Sequence, residues 1–230
     1  MKKILIILIF CFYPSLILTA RSQSIEMEPV DSVRLQFQLE LEPEVYIESA
    51  WGDPPQLAIW MVNLSDSSGQ TVVVTHRTGR CDWDGKMECG VALPWWELFY
   101  NKLNGTFGLP TWNKPAPDAI TCATPRTTLS REVYVLPGSH WRYFLEINVS
   151  GDFNLTFPHL DMDGVMDNYG NGRPSLVYRG KIEAVPGQTS KPVILGRTDQ
   201  HEPVEELISN MEGMEMALKL VKNFSVNCFE

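Results

Sequence analysis

Val33, Leu35, Phe37, Leu39 and Leu41 alternate without a break with Arg34, Gln36, Gln38 and Glu40. Strict period two places every apolar side chain of this run on one face of an extended strand, whereas a helix would scatter them around its circumference. A strand with one greasy face is not stable alone, so the rest of the chain has to supply the surface that covers it. Tyr143, Leu145, Ile147 and Val149 repeat the pattern in part, as do Phe224, Val226 and Cys228. Gln56–Val62, Thr71–Thr75, Glu132–Leu136, Ser175–Tyr178 and Pro192–Leu195 are more continuously apolar and suit central strands.

Turn formers separate these runs: Gly52-Asp53-Pro54-Pro55, Ser65–Gly69, Pro137-Gly138, Gly170–Gly172 and Pro186-Gly187. Two segments read as helices. Pro94–Leu103 opens with Pro at a favourable first position. Glu205–Val221 spaces Leu207, Ile208, Met211, Met214, Leu218 and Val221 at a partial helical period. Many short strands with few helices predict an all-β chain, an Ig-like antiparallel β-sandwich with one or two short helices.

The start of the chain reads as an address. Lys2 and Lys3 precede the apolar run Ile4–Ile17, which is too short for a membrane span and soon meets polar residues. Cleavage after Ala20 or after Ser22 fits, the second being preferred because it puts Ala20 at the −3 position. Residues 1–22 are therefore expected to be a signal peptide and residues 23–230 a single β-sandwich domain, exported to a periplasmic or extracellular compartment. No later segment is apolar enough to insert in a bilayer. The whole chain carries a formal charge of −9, and losing Lys2, Lys3 and Arg21 makes the remainder more acidic. Such a surface repels phosphate backbones, which argues against nucleic acid as a partner.

Cys81, Cys89, Cys122 and Cys228 remain after cleavage. An even number in an exported chain favours disulfides, with three possible pairings. Cys81 and Cys89 flank the turn Asp82-Trp83-Asp84-Gly85-Lys86, so a bridge between them is geometrically easy and would leave Cys122 with Cys228.

Asp118-Ala119-Ile120-Thr121-Cys122-Ala123-Thr124 lies between Pro117 and Pro125. It resembles Asp-x-x-Ser/Thr-Gly-Ala-Thr, the acceptor motif for covalent FMN in exported redox proteins. In that motif the last hydroxyl attacks the FAD phosphate next to the flavin side; AMP leaves and FMN stays ester-linked. The resemblance makes Thr124 the acceptor, with Asp118, Thr121 and Ala123 shaping the recognition loop. A transferase and its metal would activate the hydroxyl, so no base is required in this chain. The departure is Cys122 where the motif has Gly.

The order of landmarks resembles the predicted periplasmic family called domain of unknown function 2271. The resemblance is carried by Gln56-Leu57-Ala58-Ile59-Trp60, Thr71–Arg80, Leu93-Pro94-Trp95-Trp96 and Asp118–Pro125. Tyr143–Val149, Gly172–Leu176 and Ala217–Val226 extend it, so that it spans roughly residues 45–228. It implies an Ig-like sandwich similar to the carboxy-terminal domain of flagellar hook-capping proteins. It also implies a setting of flavin transferases and PepSY-type membrane partners. That family has no established enzymatic activity, and no G-x-S-x-G, H-E-x-x-H or phosphate-loop motif occurs here.

Other residues carry chemistry without a motif. Asp161, Asp163 and Asp167 are weak calcium candidates, hard oxygen ligands that lack the full EF-hand spacing. Of the seven tryptophans, Trp60 and Trp141 are expected in the sandwich core. Trp95, Trp96 and Trp112 are candidates for a wall that shields a flavin ring. Asn63, Asn104, Asn148, Asn154 and Asn223 each begin Asn-x-Ser/Thr. The leading expectation is a non-catalytic accessory or electron carrier of an extracytoplasmic flavin system. The alternative is a cofactor-free binding or structural module for a protein, a glycan or calcium.

Overall fold

The structure, a computed structural model, describes residues 31–49, 53–83, 89, 91–108, 110, 121–122 (backbone only), 124–149, 151–160, 164, 171–203 and 205–230. The expected leader 1–22, Trp51, Trp112, Asp118, Ala123, and Asp161, Asp163 and Asp167 lie outside the described residues. Two sheets pack face to face, giving the all-β sandwich the alternation predicts.

The smaller sheet has the order β5 (Thr128–Val135), β1 (Val33–Leu41), β10 (Val221–Phe229), β8 (Thr189–Ser190). The larger has five antiparallel strands: β3 (Gly69–Thr75), β2 (Gln56–Asn63), β6 (His140–Asn148), β7 (Leu176–Glu183) and β9 (Val193–Arg197). The two-residue β4 (Thr121–Cys122) joins its β3 edge in parallel. Short helices α1 (Pro43–Ile47), α2 (His76–Arg80) and α3 (Pro94–Asn104) decorate the sandwich.

Leu35, Phe37, Leu39 and Leu41 of β1 face inward, as their alternation requires, and meet Leu57, Ile59 and Met61 of β2 and Tyr143, Leu145 and Ile147 of β6 in one core. The Tyr143 ring makes edge contacts with Phe37 and Phe224. It lies against Gly180, its register partner on β7, where a Cβ would stand 2.1 Å from the ring. Its hydroxyl shares a 2.9 Å hydrogen bond with Ser190 Oγ on β8, tying the two sheets together. A second cluster lies on the outer face of the larger sheet: Ala58, Trp60, Val74, Phe144 and Val177 beneath Trp96 and Tyr100 of α3.

Three expectations are corrected. Glu205–Val221 is not a helix; only Ala217–Lys219 makes a 3-10 turn. Ile208 pairs with Arg197, Asn210 Oδ1 accepts the Glu212 N–H, and Gly213 takes a left-handed φ of 79°. Local side-chain bonds and a bridge to β9 thus outcompete the helix; of the spaced apolar residues Met214 is buried, and Leu207, Ile208, Met211, Leu218 and Val221 are half-buried. The cysteines do not form the expected bridges. Cys81, Cys89 and Cys228 are thiols. Cys228 fills an inward core position opposite Leu35, and Cys89 Sγ donates to Asn171 Oδ1. Trp141 lies in the core between the sheets, whereas Trp60, expected there, is buried in the outer cluster.

Candidate functional site

Helix α3 is the element that shapes the outer face of the larger sheet. Pro94 starts it, and Gly105 ends it in the left-handed conformation, its N–H donating to Asn101 O. No side chain of its own caps the first turn. Glu146 of β6 does so from the sheet below, because its position between Ala58 and Val177 points it at the helix N-terminus. The Trp96 N–H donates to Glu146 Oε2 at 2.6 Å and the Trp95 N–H to Oε1 at 3.3 Å. Ser175 Oγ donates to Oε1 at 2.6 Å and shares a further bond with Thr198 Oγ1. The fully buried carboxyl is pushed up to about 7 by desolvation, against the opposing pull of these hydrogen bonds. Trp96 Nε1–H donates to Thr71 Oγ1 at 3.1 Å, fixing the helix at a second point.

A second buried polar group holds the approach to α3. Asn148 Nδ2 donates to Ala92 O and to Asn171 Oδ1, and Asn171 Nδ2 donates to Gln200 O. Asn148 begins a glycosylation-type sequence, but its side chain is committed to this network.

With α3 anchored, its outward aromatics meet those of the sheet and leave an open groove of about 530 Å³. Register pairs Trp60 with Phe144, and their rings stack at 5.1 Å with 14° between planes. Phe99 stacks on Trp60 at 5.7 Å, and Trp95 meets Phe144 edge-on at 6.2 Å. Val62 and Leu98 complete the apolar lining, and Lys102 and Glu205 place one charge of each sign on it. Among the described residues Trp95 Nε1–H has no acceptor. Glu97, in the first turn of α3, is held above the usual carboxylate range by burial. The size and the mix of rings with a few polar groups are those of a small-molecule site.

The Thr124 segment lies elsewhere. β4 runs parallel to β3, with Thr121 beside Val74 and Cys122 beside Thr75. The chain therefore leaves the sheet at the end where β2 begins, whereas the groove lies toward the end of β2, at Trp60 and Val62. Cys122 has extended strand backbone, which asks nothing of a glycine. Thr124 is half-buried, and among the described residues its hydroxyl has no hydrogen-bond partner. Downstream the chain is tied down at once: Pro125 is buried, Arg126 O accepts from Tyr46 Oη, and Thr127 O accepts the Leu41 N–H.

Of the sequence-named residues, Trp95 lines the groove, and Trp96 is fully buried beneath α3 and walls nothing. Phe99, Phe144 and Glu146, which build and brace the groove, carry no local motif. They are joined by strand register and a helix crossing. Among the described residues, no group of three His, Cys, Asp or Glu side chains is placed to hold a metal ion. No protein family, curated protein or solved structure matches this chain.

Proposed function

We propose that the protein is an exported, non-catalytic binding module that takes a flat-faced ring ligand into the groove beside α3. The observation that supports this reading is the braced aromatic lining: Trp60, Phe99 and Phe144 are already stacked and Trp95 stands half-exposed against them. A groove whose rings are held before the ligand arrives loses little side-chain freedom on binding. Lys102 and Glu205 would orient polar substituents. Titration with riboflavin and with neutral disaccharides, followed by tryptophan fluorescence, tests the reading. At least one probe should saturate, and Trp95→Ala should weaken it roughly tenfold, the worth of one ring contact. Failure of every probe, or equal affinity in Trp95→Ala, would reject it.

A second reading is a flavin carrier with FMN ester-linked to Thr124, favoured by the half-exposed and uncommitted Thr124 hydroxyl. The residue present fits such an ester, and Asp118, Thr121 and Ala123 would form the loop that a transferase recognises. Bound FMN would supply electron transfer to a PepSY-type membrane partner. Co-expression with a flavin transferase should then add the mass of one FMN, and Thr124→Ala should abolish that gain. An unchanged mass beside a control substrate that is modified would remove this reading.

A further inference from the structure

The outer face of the smaller sheet is built differently from that of the larger. Among the described residues no helix covers it, and its side chains are amides, hydroxyls, two rings and ion pairs. Arg34 lies in register between Tyr134 of β5 and Phe229 of β10, so these three side chains share one row across the face. Tyr134 is 65% exposed and Phe229 40% exposed. They stand two strand spacings apart, about 9–10 Å. The Arg34 guanidinium covers the Phe229 ring at 5.1 Å, leaving Tyr134 as the open platform at one end and a flat guanidinium at the other.

Behind this row runs a continuous relay of side-chain hydrogen bonds. Thr189 Oγ1 donates to Asn227 Oδ1 at 2.9 Å, and Asn227 Nδ2 to Gln38 Oε1 at 3.4 Å. Gln38 Nε2 donates to Gln36 Oε1 at 2.7 Å, and Gln36 Nε2 to Glu132 Oε1 at 3.0 Å. Arg34 closes the relay on the same Glu132 oxygen at 3.1 Å. Each amide has its direction set by its neighbours and keeps a second N–H for a partner above the sheet.

We infer that this face binds an extended neutral glycan chain. Sugar hydroxyls are donors and acceptors at once, and an array of oriented amides answers both needs. The apolar C–H face of a pyranose stacks on an open ring such as that of Tyr134. The row from Tyr134 to Arg34 and Phe229 is about the length of a disaccharide. Each cation here is held by carboxylates: Arg34 by Glu132, and Lys222 by Glu40 at 3.5 Å and Glu42 at 3.7 Å. The face thus offers no uncompensated cation to an anionic ligand, which the acidic chain as a whole also disfavours. Side chains already ordered by the relay lose little entropy on binding. The inference is independent of the groove beside α3, which lies on the opposite side of the sandwich.

Native affinity electrophoresis tests it, with hydroxyethylcellulose, laminarin, xylan and mannan as the immobile probes. At least one should retard the protein. Tyr134→Ala should weaken that retardation roughly tenfold and the Gln36→Ala/Gln38→Ala double variant should also weaken it, while Trp95→Ala in the groove leaves it unchanged. Thermal melts of the variants confirm that these surface changes leave the fold intact. Mobility unaffected by all four probes, or retardation that Tyr134→Ala does not alter, would overturn the assignment. So would a concentration-dependent dimer abolished by Tyr134→Ala, which would give the face to self-association instead.

Discussion

Raising the pH from 4.5 to 8 is expected to weaken this fold, and Glu146→Gln to remove most of that loss. Below pH 4.5 the Glu146 carboxyl holds its proton in both folded and unfolded chains. Between 4.5 and about 7 the unfolded chain releases the proton while the buried carboxyl keeps it. The folded state then binds more protons, so stability falls as pH rises and the loss is complete above about 7. At about 1.4 kcal/mol per pH unit, the gap amounts to roughly 3 kcal/mol. Glu97 is also pushed up by burial and contributes with the same sign. Asp66 and Glu215 are held low by hydrogen bonds, and their opposite contributions fall at more acid pH. Urea midpoints measured from pH 4.5 to 8 should decline for the wild type and decline much less for Glu146→Gln, the remainder belonging to Glu97 and Asp152. A parallel decline in both would show that another group carries the dependence. Glu146→Ala should be destabilised across the whole range, because it strips the acceptor from two helix N–H groups and from Ser175.

Arg173→Ala is expected to cost about 3–5 kcal/mol, the usual consequence of leaving a buried charge without its partner. Arg173 Nη1 donates to Asp152 Oδ2, and both side chains are almost fully covered. Arg173 Nε donates to Gly213 O at 2.6 Å, and the Arg173 N–H to Asp152 O at 3.0 Å. Burial raises the Asp152 carboxyl, and the Arg173 contact acts against that rise. The residue thus joins three separate stretches: the turn after β6, the entry to β7 and the segment before β10. In the variant the Asp152 carboxylate stays buried, and the Gly213 carbonyl keeps only the Asn154 amide as donor. Arg173→Met with Asp152→Leu should recover much of the loss, since an apolar pair of similar volume carries no uncompensated charge. Chemical denaturation of the single and double variants would give the coupling directly. Additive costs would show that the pair does not act as a unit.

What could be read from the amino-acid order was local. Val33–Leu41 announces its buried face because alternation and burial have the same period. Pro94 marks the start of α3 because a missing N–H is harmless there. Trp60 was misplaced for a definite reason. Gln56–Val62 is apolar on both faces, and period two does not say which face meets the other sheet and which lies under a helix. The Glu205–Val221 spacing misleads likewise, since Gly213 and the Asn210 side chain decide the backbone there. The groove is a product of register, in which Trp60 meets Phe144 only because β2 and β6 pair as they do. Glu146 looks like an ordinary outward residue of an alternating strand until α3 is laid over it. The relay on the smaller sheet was half visible, as the polar partners of the β1 alternation. Asn227 joins the Gln36–Gln38 pair only after β10 pairs beside β1.

That pairing bears on when the sandwich can form. β1 and β10, the first and last strands among the described residues, are neighbours at the centre of the smaller sheet. Until β10 is available, β1 has only β5 beside it, and β8 has no place in that sheet. The inward row of β1 cannot be fully enclosed by a partial chain. Closing so long a loop makes folding slow and late. A polypeptide emerging from a ribosome, or threaded through a narrow channel, would leave the inward row of β1 only partly enclosed until Val221–Phe229 was free.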